Sequence, residues 1–403
     1  MTSRDPLYVC SQLFYPELIS TGLTLTELCE KLSDQGLSIT VFCSQPTLIS
    51  KDVYPKNMSY KNMQIKRCWS TRFSKLFFLG KLLNHLTFTI SLTLKLFFLP
   101  QKSQLLLLTN PPILPWLMIF LYPFKRFRYS ILLFDLYPET LIASKLLSIH
   151  NPFTLLSKIL NKYVFQASTH VFVIGRCMKN RLLPYFSPST LQKIHYIPIW
   201  ANTENIQQCQ SQLNFKASWN LNGKFIIGYS GNLARFHPIE TIMHAAKLLQ
   251  DHSDIVFLFV GEGYKKEWAM SFAKEHHLSQ CHFKTYVPNE DLGALLSTFD
   301  YGIVGLNSEN EGLSVPSKAM GLLSAGIPLI GLVPSQSEIA LIINDYNCGI
   351  TLDPNNPDAL KSAILSLKSD FKKRESCHKN ALRAVQERYN LNAIAKEYFH
   401  KLT

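Results

Sequence analysis

The stretch DIVFLFVGEGYKKEWAMSFAKEHHLSQCHFKTYV, residues 254–287, decides the fold. Six apolar residues, Ile255 to Val260, stop at Gly261-Glu262-Gly263, as a buried strand stops at a turn. A helical alternation of apolar and polar residues follows in YKKEWAMSFAKEHHL, and CHFKTYV closes as a second short strand. Strand, turn, helix and strand make a βαβ unit, which implies a parallel sheet.

The same alternation continues on both sides. Upstream, KFIIGYSGN reads as a strand ending in a glycine-bearing turn and PIETIMHAAKLLQDH as a helix. Downstream come the helix NEDLGALLSTF, the strand DYGIVGL, the loop and helix EGLSVPSKAMGLLSAGIP (residues 311–328) and the strand IPLIGLV. Together they predict a doubly wound sheet. The first forty-five residues repeat the pattern: strand LYVCSQLF, loop YPELISTG, helix LTLTELCEKLSDQG with Gly36 at its C-cap, strand LSITVFCS. QLLLLTN, RYSILLFDLYPE and HVFVIG add further strands. The fold class is therefore α/β, with two Rossmann-like doubly wound domains facing a central cleft. The expected division is 1–203, 204–385 and a C-terminal helix, 386–403, packing back on the N-terminal domain. A linker is expected within IHYIPIWANTENIQQCQSQLNF, which turns polar after Trp200.

The chain has 403 residues, 47 % of them hydrophobic, with a formal charge of +13 and a pI near 9.2. Nucleic acid, an anionic membrane or an anionic substrate would each suit that charge. Its distribution separates them. From Val53 to Phe134 there is no Asp or Glu but twelve Lys or Arg, among long apolar runs such as FSKLFFLGKLLNHLTFTISLTLKLFFLP. Basic and apolar together favour a membrane surface over nucleic acid. Lys81, Asn84, His85 and Lys95 interrupt one run, and Pro111, Pro112 and Pro115 another, so neither reads as a spanning helix. The nine cysteines form no C-x-x-C pair, which argues for a reducing compartment and against a zinc site. The histidines do not cluster with acids, and no metal site is expected. No signal peptide is expected at MTSRDPLYVCSQLFYPE.

Ligands of such sheets sit at the carboxyl ends of the strands. Four loops fall there. Gly22, closing FYPELISTG before a helix, either lets a phosphate approach or serves a tight turn. In GYSGNLARFHP, Gly231 and Asn232 permit an unusual backbone, and Arg235 is either a diphosphate fork or a surface arginine. Gly261 and Gly263 form a two-glycine strand end that is weak evidence alone. In the fourth loop, Ser317 and Lys318 begin a helix. A lysine there opposes the helix dipole, a conflict that a bound anion removes, although a solvated lysine is the plain alternative. Asp135, in LLFDLYPET, is either a carboxylate for an acceptor or sugar hydroxyl or the N-cap of the next helix.

These residues, in this order, resemble the GT-B glycosyltransferases of family 4, and most of all the WcaI/WbuB-like branch of colanic acid, O-antigen and capsule enzymes. In the N-terminal half the resemblance rests on SQLFYPE, TNPPILP and DLYPE. In the C-terminal half it rests on YSGNL, FVGEGYKK, YVPNEDLGALLSTFDYGIVGL, VPSKAMGLLSAGIPLIG and NCGITLDP. The resemblance implies a nucleotide-sugar donor held by the C-terminal domain and an acceptor held by the N-terminal domain. It also implies retention at the anomeric carbon, with no metal and no cofactor beyond the donor. It makes Arg235, Lys318 and Asp135 the catalytic candidates. Gly22, Gly231, Asn232, Gly261, Gly263, Val287, Glu311 and Ser317 become the donor-binding candidates. One departure stands out. Many family members carry two glutamates eight residues apart in the fourth loop, where this chain has Leu313 and Gly321. The expected partners are a lipid-linked saccharide acceptor and an anionic membrane surface, without nucleic acid, at the inner face of the cell membrane. The rival functions are a nucleotide-sugar 2-epimerase and a non-catalytic peripheral membrane scaffold.

Overall fold

A computed structural model describes residues 5–17, 21–46, 52–73, 78–201 and 213–403. The chain forms two units: residues 1–198 with 391–403, and residues 199–390. Most of the polar part of the expected linker, residues 202–212, lies outside the described residues. So does Lys75, one of the twelve basic residues.

Unit 1 contains strands β1 (Leu7–Cys10), β2 (Ile39–Cys43), β3 (Asn57–Tyr60), β4 (Met63–Arg67), β5 (Gln104–Leu108), β6 (Arg128–Leu133), β7 (His170–Val173) and β8 (Ile194–Tyr196). They form one sheet in the order β3-β4-β2-β1-β5-β6-β7-β8. All pairings are parallel except β3 with β4. The central strands are covered on both faces, so β5 from Leu105 and β6 from Ile131 read as unbroken apolar runs. The β3–β4 hairpin is an edge that apolar-run reading passes over, because its burial alternates and half its residues are polar.

Helix α1 (Thr21–Asp34) follows β1. Gly36, at φ +90°, ends it as expected, with its N–H on the Ser33 carbonyl at 2.9 Å. Helices α2 (Phe78–Phe97), α3 (Leu117–Lys125), α4 (Glu139–Ala143) and α5 (Pro152–Ala167) fill the middle of the unit. The final helix, Leu391–Leu402, packs against α1, and its Tyr398 is fully buried beside Phe172.

Strand β1 stops at Cys10, four residues short of the expected end. Beyond it the backbone turns to knit the loops: Gln12 N–H donates to Asn110 O at 2.8 Å, and Ser44 N–H to Gln12 O at 3.1 Å. Two basic residues of the span expected to be a surface serve this knot instead. Arg67 is 3 % exposed, and its guanidinium donates to Ser44 O at 3.0 Å and Tyr15 O at 2.9 Å. Lys95 Nζ donates to Arg67 O at 2.9 Å. Loop carbonyls at strand ends lack ladder partners, and these cations satisfy them.

Unit 2 contains β9 (Phe225–Ser230), β10 (Ile255–Val260), β11 (Cys281–Lys284), β12 (Tyr301–Gly305), β13 (Leu329–Leu332) and β14 (Gly349–Leu352). The sheet is wholly parallel, in the order β11-β10-β9-β12-β13-β14. Strand order reverses between β9 and β12, so the loops that leave these two strands flank one crevice. Those loops are 231–237 and 306–317.

Candidate functional site

Around the β9–β12 crevice of unit 2, backbone geometry comes first. Gly231 has φ +119° and Gly261 φ +146°. A Cβ on Gly261 would lie 2.2 Å from the Gly231 carbonyl oxygen, so only glycine lets the two turns touch. Hydrogen bonds lock them together: Gly231 N–H to Val260 O at 2.9 Å, Leu233 N–H to Glu262 O at 2.8 Å and Lys265 N–H to Leu233 O at 3.0 Å. Gly263 sits under the same contact, where a Cβ would strike Asn232 Oδ1 at 2.3 Å.

Over this platform lies Lys318, the first residue of the helix Lys318–Ser324. Its Cε would be 3.5 Å and its Nζ 3.7 Å from a Cβ on Gly231. Nζ donates to the Tyr229 hydroxyl and stands 3.7 Å from the centre of that ring. The Asn232 carbonyl lies 3.4 Å away. Both partners are neutral. Burial pulls the Lys318 ammonium down to about 7. An anion at this spot would supply the missing counter-charge.

Two residues that sequence reasoning missed complete the cluster. Tyr229 is 1 % exposed and His237 5 %. His237 Nδ1 lies 2.7 Å from Tyr229 Oη, 3.0 Å from Asn232 O and 3.3 Å from the Ala234 nitrogen, whose N–H donates to it. Burial, then Lys318, holds the His237 ring neutral down to about pH 2. The Tyr229 O–H also reaches Asn232 O at 2.9 Å. Burial raises the Tyr229 phenol well above its ordinary value, so it stays protonated. Both residues sit inside GYSGNLARFHP. Their one signal is a polar aromatic on each side of a glycine turn.

The other candidates of this unit divide. Arg235 is exposed and stacks on the Tyr264 ring at 3.8 Å. Ser317 is exposed and makes no side-chain cap bond. Val287 and Glu311 are half-buried in the loops after β11 and β12. Gly321 faces open space: a Cβ there would meet only Leu296 Cδ1, at 3.7 Å. The structure thus joins Lys318 to Gly231 and Asn232, and leaves Arg235 turned to solvent on its tyrosine.

In unit 1, Asp135 follows β6. Helix α4 begins at Glu139 after Pro138 with no side-chain cap, so Asp135 is not its N-cap. Burial raises the Asp135 carboxyl to about 6, against an opposing effect of Lys81. Its loop is held from several sides. Thr109 Oγ1 donates to Asp135 O at 3.3 Å and Asn161 Nδ2 to Tyr137 O at 2.6 Å, while the Tyr185 hydroxyl donates to the Glu139 carboxylate. A carboxyl so placed takes or gives a proton near neutrality. Gly22 is needed for steric reasons of another kind. A Cβ there would lie 2.3 Å from the Glu17 carbonyl oxygen, so what approaches this glycine closely is the chain's own loop. Among the described residues no group of three or more His, Cys, Asp or Glu is placed to hold a metal.

Residues 211–384 match the family Glycosyl transferases group 1. The chain is 25 % identical over 258 residues to a probable glycosyltransferase, WbjE, of Pseudomonas aeruginosa, covering 62 % of this chain and 63 % of that protein. It is 22 % identical over 204 residues to a putative colanic acid biosynthesis glycosyl transferase, WcaI, of Escherichia coli, covering 48 % of each. The matches thus span 63 % of the first of these relatives and 48 % of the second. Among solved structures, sucrose-phosphate synthase of Thermosynechococcus elongatus superposes with a TM-score of 0.78 at 15 % identity, over 98 % of both chains. Anabaena Alr3699/HepE, solved with UDP and glucose, superposes with a TM-score of 0.72 at 11 % identity, over 99 % of both chains. The fold is GT-B: mixed α/β with two parallel-sheet units.

Proposed function

From the group 1 glycosyl transferase match of unit 2 as premise, we propose that this protein is a retaining glycosyltransferase. It moves a hexosyl or N-acetylhexosaminyl group from a nucleotide diphosphate sugar to a lipid-linked acceptor in surface polysaccharide assembly, without metal or cofactor. We place it in the WcaI/WbuB-like branch of family 4, peripheral on the inner face of the cell membrane.

The observation that carries this is Lys318: a cation with only neutral partners, over the Gly231 turn, at the switch point of a doubly wound sheet. When the bond between the anomeric carbon and the diphosphate breaks, negative charge gathers on the leaving phosphate. A fixed ammonium placed there favours that state more than the ground state. Arg235, in the loop that carries Gly231, is the second cation, for the outer phosphate or the nucleoside. Asp135 supplies the carboxylate for the acceptor hydroxyl.

The membrane part of the proposal rests on unit 1. Neighbouring helices α2, α3 and α5 expose large apolar side chains, among them Ile90 at 62 %, Phe120 at 69 % and Ile159 at 66 %. Between Val53 and Thr203 the only acids are Asp135 and Glu139. An apolar face in a basic surround suits an anionic lipid surface, which also holds a polyprenyl-type acceptor. Among the described residues no helix is long and apolar enough to cross a membrane.

Incubation with a panel of radiolabelled nucleotide sugars and a membrane lipid extract tests the proposal. Label entering the lipid fraction is expected. Epimerised free donor, or no turnover with any donor, would overturn it.

A further inference from the structure

Lys318 is long and flexible, and free lysines lose much rotamer entropy on being fixed. Its position over Gly231 therefore needs an agent. Helix geometry sets its Cα, but Nζ is held by one side chain, Tyr229, and one carbonyl, Asn232 O. Both holders lie within 3.0 Å of His237 Nδ1. Nδ1 of that ring touches Tyr229 Oη, Asn232 O and the Ala234 nitrogen within 3.3 Å, so one neutral imidazole ties the strand end to the loop. The hydroxyl of Tyr229 has one proton and two lone pairs. With its proton engaged by Nδ1 or by Asn232 O, its lone pairs face the ammonium.

We propose that Tyr229 and His237 are positioning residues, which hold the Lys318 ammonium over the Gly231 turn where the donor diphosphate binds. The diphosphate clause rests on the function proposed above; the positioning clause does not. Lys318 is thereby set between two states. Its neighbours are the neutral phenol and imidazole, with Lys265 behind His237. Lys265 Nζ donates to His237 O at 2.7 Å and to Glu240 at 2.7 Å, so its charge is already matched. Tyr286, near Tyr229, is a protonated phenol whose value burial raises. No charged side chain therefore offsets Lys318 among these groups, and a diphosphate entering the site restores a full proton to Nζ.

The test reads the lysine itself and needs no donor. Competitive labelling of amines with an acylating reagent, followed by mass spectrometry, gives the pH midpoint of Lys318 in the full chain. In the unaltered protein the midpoint falls near 7. Tyr229→Phe removes the acceptor and keeps the ring, so the ammonium loses its best partner and the midpoint falls by half a unit or more, about a threefold change in the protonation constant. His237→Leu does the same through a displaced hydroxyl, while His237→Asn, which keeps an acceptor at the Nδ1 position, restores the midpoint. A midpoint unchanged in folded Tyr229→Phe would overturn the positioning role. UDP and GDP, added separately, are each expected to raise the midpoint if bound. Shifts in the variants without any nucleotide effect would leave the positioning intact and count against the diphosphate reading.

Discussion

Lys318→Met sets stability and function against each other at one atom. The ordinary lysine value is 10.5, and burial brings Lys318 to about 7. A depressed folded value means that the unfolded chain binds the proton more tightly. The destabilisation is complete below pH 7 and fades as pH rises toward 10.5. At 1.36 kcal/mol per unit the upper bound is about 5 kcal/mol. Lys318 is half-buried rather than sealed, so solvent screening and side-chain relaxation reduce this to roughly 1–3 kcal/mol. Methionine keeps the apolar stem and removes the ammonium, and Tyr229 retains Asn232 O and His237 as partners. The variant is therefore expected to melt later than the unaltered protein at pH 6, by roughly 3–9 °C for a unit of this size. Near pH 10 the gain disappears. In the proposed mechanism the same substitution removes the cation that meets the leaving diphosphate, so transfer is expected to fall by about 10²-fold or more. Calorimetry at both pH values, with a transfer assay at neutral pH, reads all three effects. A variant that melts earlier at pH 6, or a difference indifferent to pH, would refute the premise that an uncompensated cation sits there.

Asp135 has a raised folded value, about 6 against 3.8, so its stabilising contribution is complete below pH 3.8 and lost as pH rises through 6. Asp135→Asn should stabilise the protein at pH 7.5, by about 1 kcal/mol after allowance for partial exposure, leave it unchanged near pH 3.5, and abolish acceptor transfer. Gly261→Ala places a Cβ against the Gly231 carbonyl at a strained φ and should cost about 1–3 kcal/mol in thermal unfolding, with weakened nucleotide binding. Ile90→Ser with Leu94→Ser, Lys81→Glu and Arg126→Glu should release the protein from anionic vesicles in a flotation assay; unchanged binding would count against the apolar face. Lys95 is left out of that set because its ammonium is committed to the Arg67 carbonyl.

Much of the fold is legible because it is local. The runs IVFLFV and QLLLL are strands on apolar content alone, and Gly36 ends a helix because its φ of +90° suits no other residue. The β3–β4 hairpin escapes, since NMSY and MQIKR alternate in exposure at an edge and carry no apolar run. The site is half legible for the same reason. Gly231, Gly261 and Lys318 stand out in their own loops. That Lys318 lies over Gly231, eighty-seven positions back in the chain, follows only from the pairing of β9 with β12. Tyr229 and His237 look like core residues until the lysine arrives beside them. Charge misleads in the other direction: Arg67 counts as surface in a composition, yet its guanidinium is a buried knot for two loops.

The return of the last helix to unit 1 has a consequence for synthesis. Residues 199–390 are a whole sheet unit threaded between β8 and the helix Leu391–Leu402. A ribosome releases all of unit 2 before it releases Tyr398, which fills a buried place beside Phe172. The nascent chain therefore carries an N-terminal sheet that waits, with α1 and β7 uncovered on that side, while its successor folds to completion. The domain begun first is the domain finished last, and a chaperone that shields apolar surface has that interval in which to act.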